Sequence, residues 1–174
     1  DFFPSLGFTF NKNPERVYTL QYSRRIDRPA YQDLNPFEFK IDEYTFQKGN
    51  TDLRPQYTNS ISLQHTYKYR LNLTLNYSYV SNMFSQLVDT AKISKSFMTK
   101  KNLANQQIVN FNVSYPFQYK NYSIFGNVNS FYSINRADFG PGRKIELKVF
   151  SISAFAQQSL KLKRNWTLEM TTWF

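Results

Sequence analysis

The chain has 174 residues, about one domain by length, with no cysteine and 22 Lys and Arg against 12 Asp and Glu, a formal net charge of +10. The lack of thiols excludes a disulfide framework and thiolate metal sites. No run approaches the roughly 20 apolar residues of a membrane-spanning helix, and mean hydropathy is −0.58.

Taken in chain order, the helical period is almost absent and the strand period is nearly everywhere. Leu6, Phe8 and Phe10 alternate with Gly7 and Thr9. Tyr18, Leu20 and Tyr22 alternate with Thr19, Gln21 and Ser23. Ile61, Leu63, His65 and Tyr67 alternate with Ser62, Gln64 and Thr66. Leu71, Leu73, Leu75, Tyr77 and Tyr79 alternate with Asn72, Thr74, Asn76 and Ser78, and the pattern runs on loosely toward Val88. Val109, Phe111, Val113 and Tyr115 alternate with Asn110, Asn112 and Ser114. Less regular strands are predicted over 122–133, 147–160 and 165–174. Successive strand residues face opposite ways, so each strand has one face of Leu, Phe and Tyr and another of amides and hydroxyls.

The connections predict more than the strands do. Short links at 11–16, 68–70, 116–121 and 161–165 alternate with longer ones at about 24–57, 89–105 and 134–146. A soluble sandwich has no reason for that rhythm. A transmembrane barrel has tight turns at one rim and long loops at the other. Segments 2–10, 17–23, 58–67, 71–88, 106–115 and 122–133 contain no Lys, Arg, Asp or Glu, and the last two strands carry one each, Lys148 and Glu169. Soluble β proteins usually put charge on the wet face of their strands. A charge on a lipid face costs about 2–4 kcal/mol at the bilayer midplane. The expected fold is therefore all-β, an antiparallel transmembrane β-barrel segment of about eight strands. A soluble sandwich with Tyr and Leu as its core is the alternative. DFFPSLG has no signal-peptide character, and MTTWF still alternates at the C-terminus, so the chain is expected to be part of something longer.

The stretch YSRRIDRPAYQDLNPFEF, residues 22–39, follows a strand with three arginines. Arg24, Arg25 and Arg28 stand where that strand leaves the membrane, able to meet lipid phosphates or to pair with acids of their own loop. The loop holds Asp27, Asp33, Glu38, Asp42, Glu43 and Asp52 against Arg24, Arg25, Arg28, Lys40, Lys48 and Arg54, so it is neutral, and internal pairing is the favoured expectation. The surplus charge lies in the second loop, at Lys92, Lys95, Lys100 and Lys101, and in the short turns, at Lys68, Arg70, Lys161, Lys163 and Arg164.

The same stretch carries a pattern, Y-S-x-R-I-x-R-P-x-Y-x-x-L-N-P-F, on Tyr22, Ser23, Arg25, Ile26, Arg28, Pro29, Tyr31, Leu34, Asn35, Pro36 and Phe37. G-N-x-x-L-x-P-Q follows on Gly49, Asn50, Leu53, Pro55 and Gln56, with Thr51 where the pattern more often has Pro. These residues resemble outer-membrane β-barrel proteins of the Bacteroidota, similar to TonB-dependent receptors. The resemblance implies the later half of a barrel, a bacterial outer-membrane location, and a plug domain and TonB contact that nothing in this chain resembles.

Enzyme chemistry is not expected. The one His, His65, lies in register with Ile61, Leu63 and Tyr67 on the apolar face, where a barrel-surface His is the plain reading and a triad would need a pocket. Asp42 and Glu43 match no calcium-loop spacing, so neither metal nor cofactor is expected. Gly140, Pro141 and Gly142 read as a turn rather than a phosphate cradle. Nucleic acid is not an expected partner, because a stacking platform needs its cations on the strands.

The expected function is the barrel wall of a nutrient transporter of the TonB-dependent type, with long extracellular loops as its selective face. Arg24, Arg25, Arg28 and Tyr31 are the candidate ligand or partner contacts. Outer-membrane lipid or lipopolysaccharide, an unidentified nutrient and TonB acting through a plug are the expected partners. A structural or assembly barrel without a transported ligand is the second reading, and a soluble all-β binding module the third.

Overall fold

The computed structural model describes residues 2–13, 15–92, 95–140 and 142–174. Eight strands form an antiparallel meander: β1 (Ser5–Asn13), β2 (Arg16–Asp27), β5 (Gln56–Tyr67), β6 (Leu71–Lys92), β7 (Lys95–Tyr119), β8 (Tyr122–Asp138), β9 (Lys144–Lys161) and β10 (Thr167–Trp173). A short helix α1 (Tyr31–Leu34) and two short strands, β3 (Glu38–Lys40) and β4 (Thr45–Lys48), lie within the first long connection. All strands belong to one sheet with the order β1-β2-β5-β6-β7-β8-β9-β10, and β1 and β10 stand at its two edges. The all-β antiparallel expectation is borne out.

The registers turn the sequence alternation into continuous rows. Leu6, Tyr22, Ile61, Tyr77, Val109, Tyr132 and Phe150 are successive cross-strand partners, an apolar row over seven strands. Thr9, Thr19, Gln64, Thr74, Asn112, Asn129 and Ser153 form an equally long row on the other face with no charge and no large apolar side chain. That polar face is cross-linked: Ser60 and Ser78 hydroxyls lie 3.1 Å apart, and the side-chain amides of Asn112 and Asn127 bond reciprocally at 3.3 Å.

The apolar face has no layer packed on it. Leu6, Phe8, Phe150 and Ile152 are 63–67% exposed, and Leu53, Val80 and Ala104 are the buried hydrophobic residues among those described. A soluble sandwich buries one sheet against another. A single sheet with a contiguous bare face of Leu, Phe, Ile and Tyr needs an apolar solvent instead. The sandwich alternative falls on this observation.

Of the short links, 68–70 stands where expected, 161–165 moves by one residue to 162–166, and 116–121 shrinks to 120–121. Lys68 and Tyr69 both have positive φ (51° and 56°), as in hairpin turns that match strand twist, and Lys120 has φ 51°. The long links differ more. Residues 95–105 are strand in β7, so the loop expected at 89–105 is instead the end of a long β6–β7 hairpin. The loop expected at 134–146 shrinks to 139–143, because β8 runs to Asp138 and β9 starts at Lys144. Charge marks where the hydrocarbon ends, and the backbone ladder continues past that point. A membrane-crossing strand takes about 9–11 residues, whereas β6 has 22 and β7 has 25. A bulge lies where the hairpin clears β5: the β6–β7 register shifts between Val80 and Met83, and Asn82 has φ 54°.

Candidate functional site

The first long connection is a packed structure seated on the β6–β7 hairpin. Its motif residues knot the chain. Gly49 N donates to Asn35 O at 2.9 Å, Asn50 N to Asp33 O at 2.7 Å, and Phe37 N to Asn35 Oδ1 at 3.1 Å. A Cβ on Gly49 would collide with backbone atoms of Asn35 and Asp33, so only glycine passes there. Leu53 is 8% exposed and anchors the far end of the knot.

Three further ties fix the knot to the hairpin. Lys100 Nζ and Asp33 Oδ2 form an ion pair at 2.8 Å, with the Asp33 side chain 12% exposed. Asn50 Nδ2 donates to Lys100 O at 3.0 Å. Strand β4 joins β7 in parallel, pairing Thr45 with Ser96, Phe46 with Phe97 and Gln47 with Met98. The Phe46 and Phe97 rings lie 5.9 Å apart, and Lys95 Nζ sits 4.7 Å from the Phe46 centroid. The β7–β8 register ends at Ala104, so β4 occupies the edge of β7 that β8 leaves open.

The four candidate contacts do not converge. Arg24 and Arg25 are adjacent strand residues and so face opposite ways. Arg24 continues the Leu20–Tyr22 face, the apolar one, with its Cζ 5.2 Å from the Tyr57 centroid. Its Nε is buried without a hydrogen-bond partner. Arg25 is exposed opposite Thr58, Arg28 is exposed, and Tyr31 is 83% exposed on α1. The loop's acids go elsewhere: Asp33 to Lys100, Glu38 to Lys48 at 3.3 Å, and Asp27 to the amide of Gln56 at 3.1 Å. The expected internal pairing and packing of the loop is met in part, by Glu38 with Lys48, while none of the described ion pairs involves the three arginines. Lys100 and Asn102 hold the loop, with Asn102 bonded in turn to Asn82 O, and sequence reasoning missed these roles. Their only signal was polar residues continuing a strand beyond its charge-free stretch.

His65 stacks on Tyr18 at 4.3 Å, with Nδ1 3.2 Å from Val17 O. Asp42 Oδ1 accepts the backbone N–H groups of Tyr44 at 2.9 Å and Thr45 at 2.7 Å, which hold its carboxyl below the ordinary range. That is a turn, and no cluster of three or more His, Asp or Glu able to hold a metal occurs among the described residues. Gly140 and Gly142 have φ 112° and 74°, and Arg143 N donates to Gly140 O at 3.0 Å, again a turn; Pro141 lies outside the described residues.

Charge is unequally divided between the rims. At the long-loop rim, ion pairs are common: besides those above, Glu146 binds Arg136 at 2.7 Å and Lys148 at 2.8 Å. At the short-turn rim stand Lys12 and Arg16, Lys68 and Arg70, Lys120, then Lys161, Lys163 and Arg164, with Glu15 the one carboxylate in those four connections.

An open antiparallel sheet with one bare apolar face, one uncharged polar face, tight turns at one rim and elaborated strands at the other is the wall of a membrane barrel. The sequence matches the outer membrane protein beta-barrel family over residues 1–174. The chain belongs to that family. It is an outer-membrane β-barrel protein, and its location is the bacterial outer membrane. No curated protein matches it. Within this family assignment, the bare Leu, Phe and Tyr face is the lipid face, and the Asn, Gln, Ser and Thr face lines the lumen.

Proposed function

We propose that this family member is part of the wall of a nutrient transporter of the TonB-dependent receptor type, as found in Bacteroidota. Its short turns face the periplasm and its packed first loop faces the medium. The lumen face carries the reading. The row of Thr9, Thr19, Gln64, Thr74, Asn112, Asn129 and Ser153 offers uncharged donors and acceptors over seven strands. Such a wall gives a polar solute many weak, exchangeable hydrogen bonds and no deep electrostatic trap. Arg25, Arg28 and Tyr31, exposed around the first loop, are the proposed contacts for solute or partner, and Arg24 meets outer-leaflet lipid. A plug and TonB contact would belong to a longer polypeptide.

The test is uptake. Cells with and without the gene are grown on a complex medium, and depletion of its solutes is followed with and without a protonophore. A solute whose depletion needs both the gene and the proton gradient supports the reading. Gene-dependent depletion that ignores the protonophore defeats the TonB-type mechanism. A second reading, a structural or assembly barrel, draws on the first loop being engaged in internal packing on Lys100 and Asn102. Unchanged depletion together with disturbed outer-membrane assembly in the deletion strain would favour it.

A further inference from the structure

The short-turn rim carries eight Lys and Arg against one carboxylate, Glu15, and nothing in the transport reading uses them. Its cations are placed rather than scattered. Arg16 Cζ lies 5.3 Å and Lys68 Nζ 5.4 Å from the centroid of one ring, Tyr67, and Lys120 Nζ lies 5.4 Å from that of Tyr119. Tyr67 continues the Ile61–Leu63 face and Tyr119 the Phe111–Tyr115 face, so these rings close the lower edge of the apolar band. Arg70 stands between two grooves, one shared with Glu15, Tyr67, Lys68 and Tyr115, the other with Phe117 and Phe125. The turns are tied sideways as well: Lys68 N donates to Glu15 O at 2.6 Å, and Lys161 N to Asn121 O at 2.8 Å.

We propose that this rim binds the headgroups of anionic phospholipids in the leaflet that it meets, with the groove of Glu15, Tyr67, Lys68, Arg70 and Tyr115 as the site. Two like charges over one ring repel unless an anion lies between them. Glu15, the one carboxylate of the four connections, lines the same groove and offsets one of the three cations Arg16, Lys68 and Arg70 around Tyr67, so a net positive charge remains there for an anion. Tyrosines at the edge of an apolar band sit at headgroup depth, and cations stacked on them are held at the height of a lipid phosphate. The lipid-facing side of Tyr67 and Tyr119 favours phospholipid over an acidic wall polymer, which would approach along the barrel axis. The proposal rests on the barrel's placement in the membrane and not on transport, so a failed uptake experiment leaves it standing.

The test uses the full-length protein, extracted from the outer membrane in mild detergent and delipidated. Native mass spectrometry then counts adducts with phosphatidylglycerol and with phosphatidylcholine. The expected result is a preference for phosphatidylglycerol that drops about fivefold per charge removed in Arg16→Gln, Lys68→Gln and Arg70→Gln. Lys68→Arg keeps it, and Lys48→Gln at the other rim leaves it unchanged. Folding is checked by the heat-dependent shift in gel mobility, and if the combined variant fails that check, Lys120→Gln alone must show the drop. Equal binding of the two lipids overturns the proposal. So does loss of binding to purified peptidoglycan sacculi in these variants with lipid preference intact, which would assign the rim to the wall polymer.

Discussion

Asn102 on β7 grips the backbone of Arg54 from both sides. Its Oδ1 accepts from Arg54 N at 2.7 Å and its Nδ2 donates to Arg54 O at 2.8 Å. The same Nδ2 reaches Asn82 O, at the β6 bulge, at 2.6 Å. One amide thus does the work of a strand pair. It joins the end of the first loop to the point where the long hairpin leaves the sheet.

Removing that amide should free the loop without unfolding the barrel. Asn102→Ala removes two exposed hydrogen bonds to the Arg54 backbone, a loss of about 0.5–1.5 kcal/mol each. Limited proteolysis in detergent should then cut within residues 28–55 faster than in the wild type, while the heat-dependent gel shift persists. Asn102→Asp keeps the acceptor and loses the donor, so its cutting rate should fall between the two. Unchanged cutting in Asn102→Ala would mean that β4 and the Lys100–Asp33 pair hold the loop by themselves.

Gly49 makes a sharper case, because its obstacles are backbone atoms of Asn35 and Asp33 and not a flexible side chain. Gly49→Ala should cost about 1–3 kcal/mol of loop stability through forced displacement. Amide exchange should rise at Asn50 and Leu53, whose N–H groups bond within the knot, and stay unchanged in β5. Protection equal to wild type at Asn50 would show that the knot tolerates a methyl group.

These two residues show what the sequence made legible. The motif was visible in the chain, and its purpose was not. Gly49 and Asn35 are 14 positions apart, and Asn102 lies 48 positions from Arg54, so the contacts that explain the motif are tertiary. The strands were legible because alternation needs only neighbours. Loop 89–105 was misread because Lys100 and Lys101 look like a loop when charge is taken as the end of a strand. The ladder is indifferent to charge once the strand has left hydrocarbon. The opposed facing of Arg24 and Arg25 followed from the alternation itself, yet the two had been grouped as one site.

The turn at Asp42 should respond to acid. Its carboxylate accepts the Tyr44 and Thr45 N–H groups, so its folded pKa lies below the unfolded value of about 3.9. A depressed pKa contributes stability above the unfolded value, and that contribution fades as pH falls through the lower folded value. Amide chemical shifts of Tyr44 and Thr45 in the detergent-solubilised protein should therefore stay constant from neutral pH to about pH 4 and move below it. In Asp42→Asn that movement should vanish. A midpoint at or above the ordinary carboxylate value would show that the two hydrogen bonds do not persist in solution.

The assignment of faces is open to a paired test at neighbouring positions. Leu63 lies in the row of Phe8, Leu20, Leu75 and Phe111, and Gln64 in the row of Thr9, Thr19, Thr74 and Asn112. Leu63→Arg places a charge in hydrocarbon near the middle of the band and should cost about 2–4 kcal/mol. Gln64→Arg places the same charge in a hydrated lumen, among side chains that already accept hydrogen bonds, and should cost far less. Folding of the full-length variants into lipid vesicles across a urea series, read by gel mobility, separates the two. The side chains are adjacent, equal in size after substitution and identical in charge, so backbone propensity and net charge cancel in the comparison. A larger loss for Gln64→Arg would reverse the faces. Equal losses would mean that the lumen side of β5 is as dry as its lipid side, packed against something that fills the barrel.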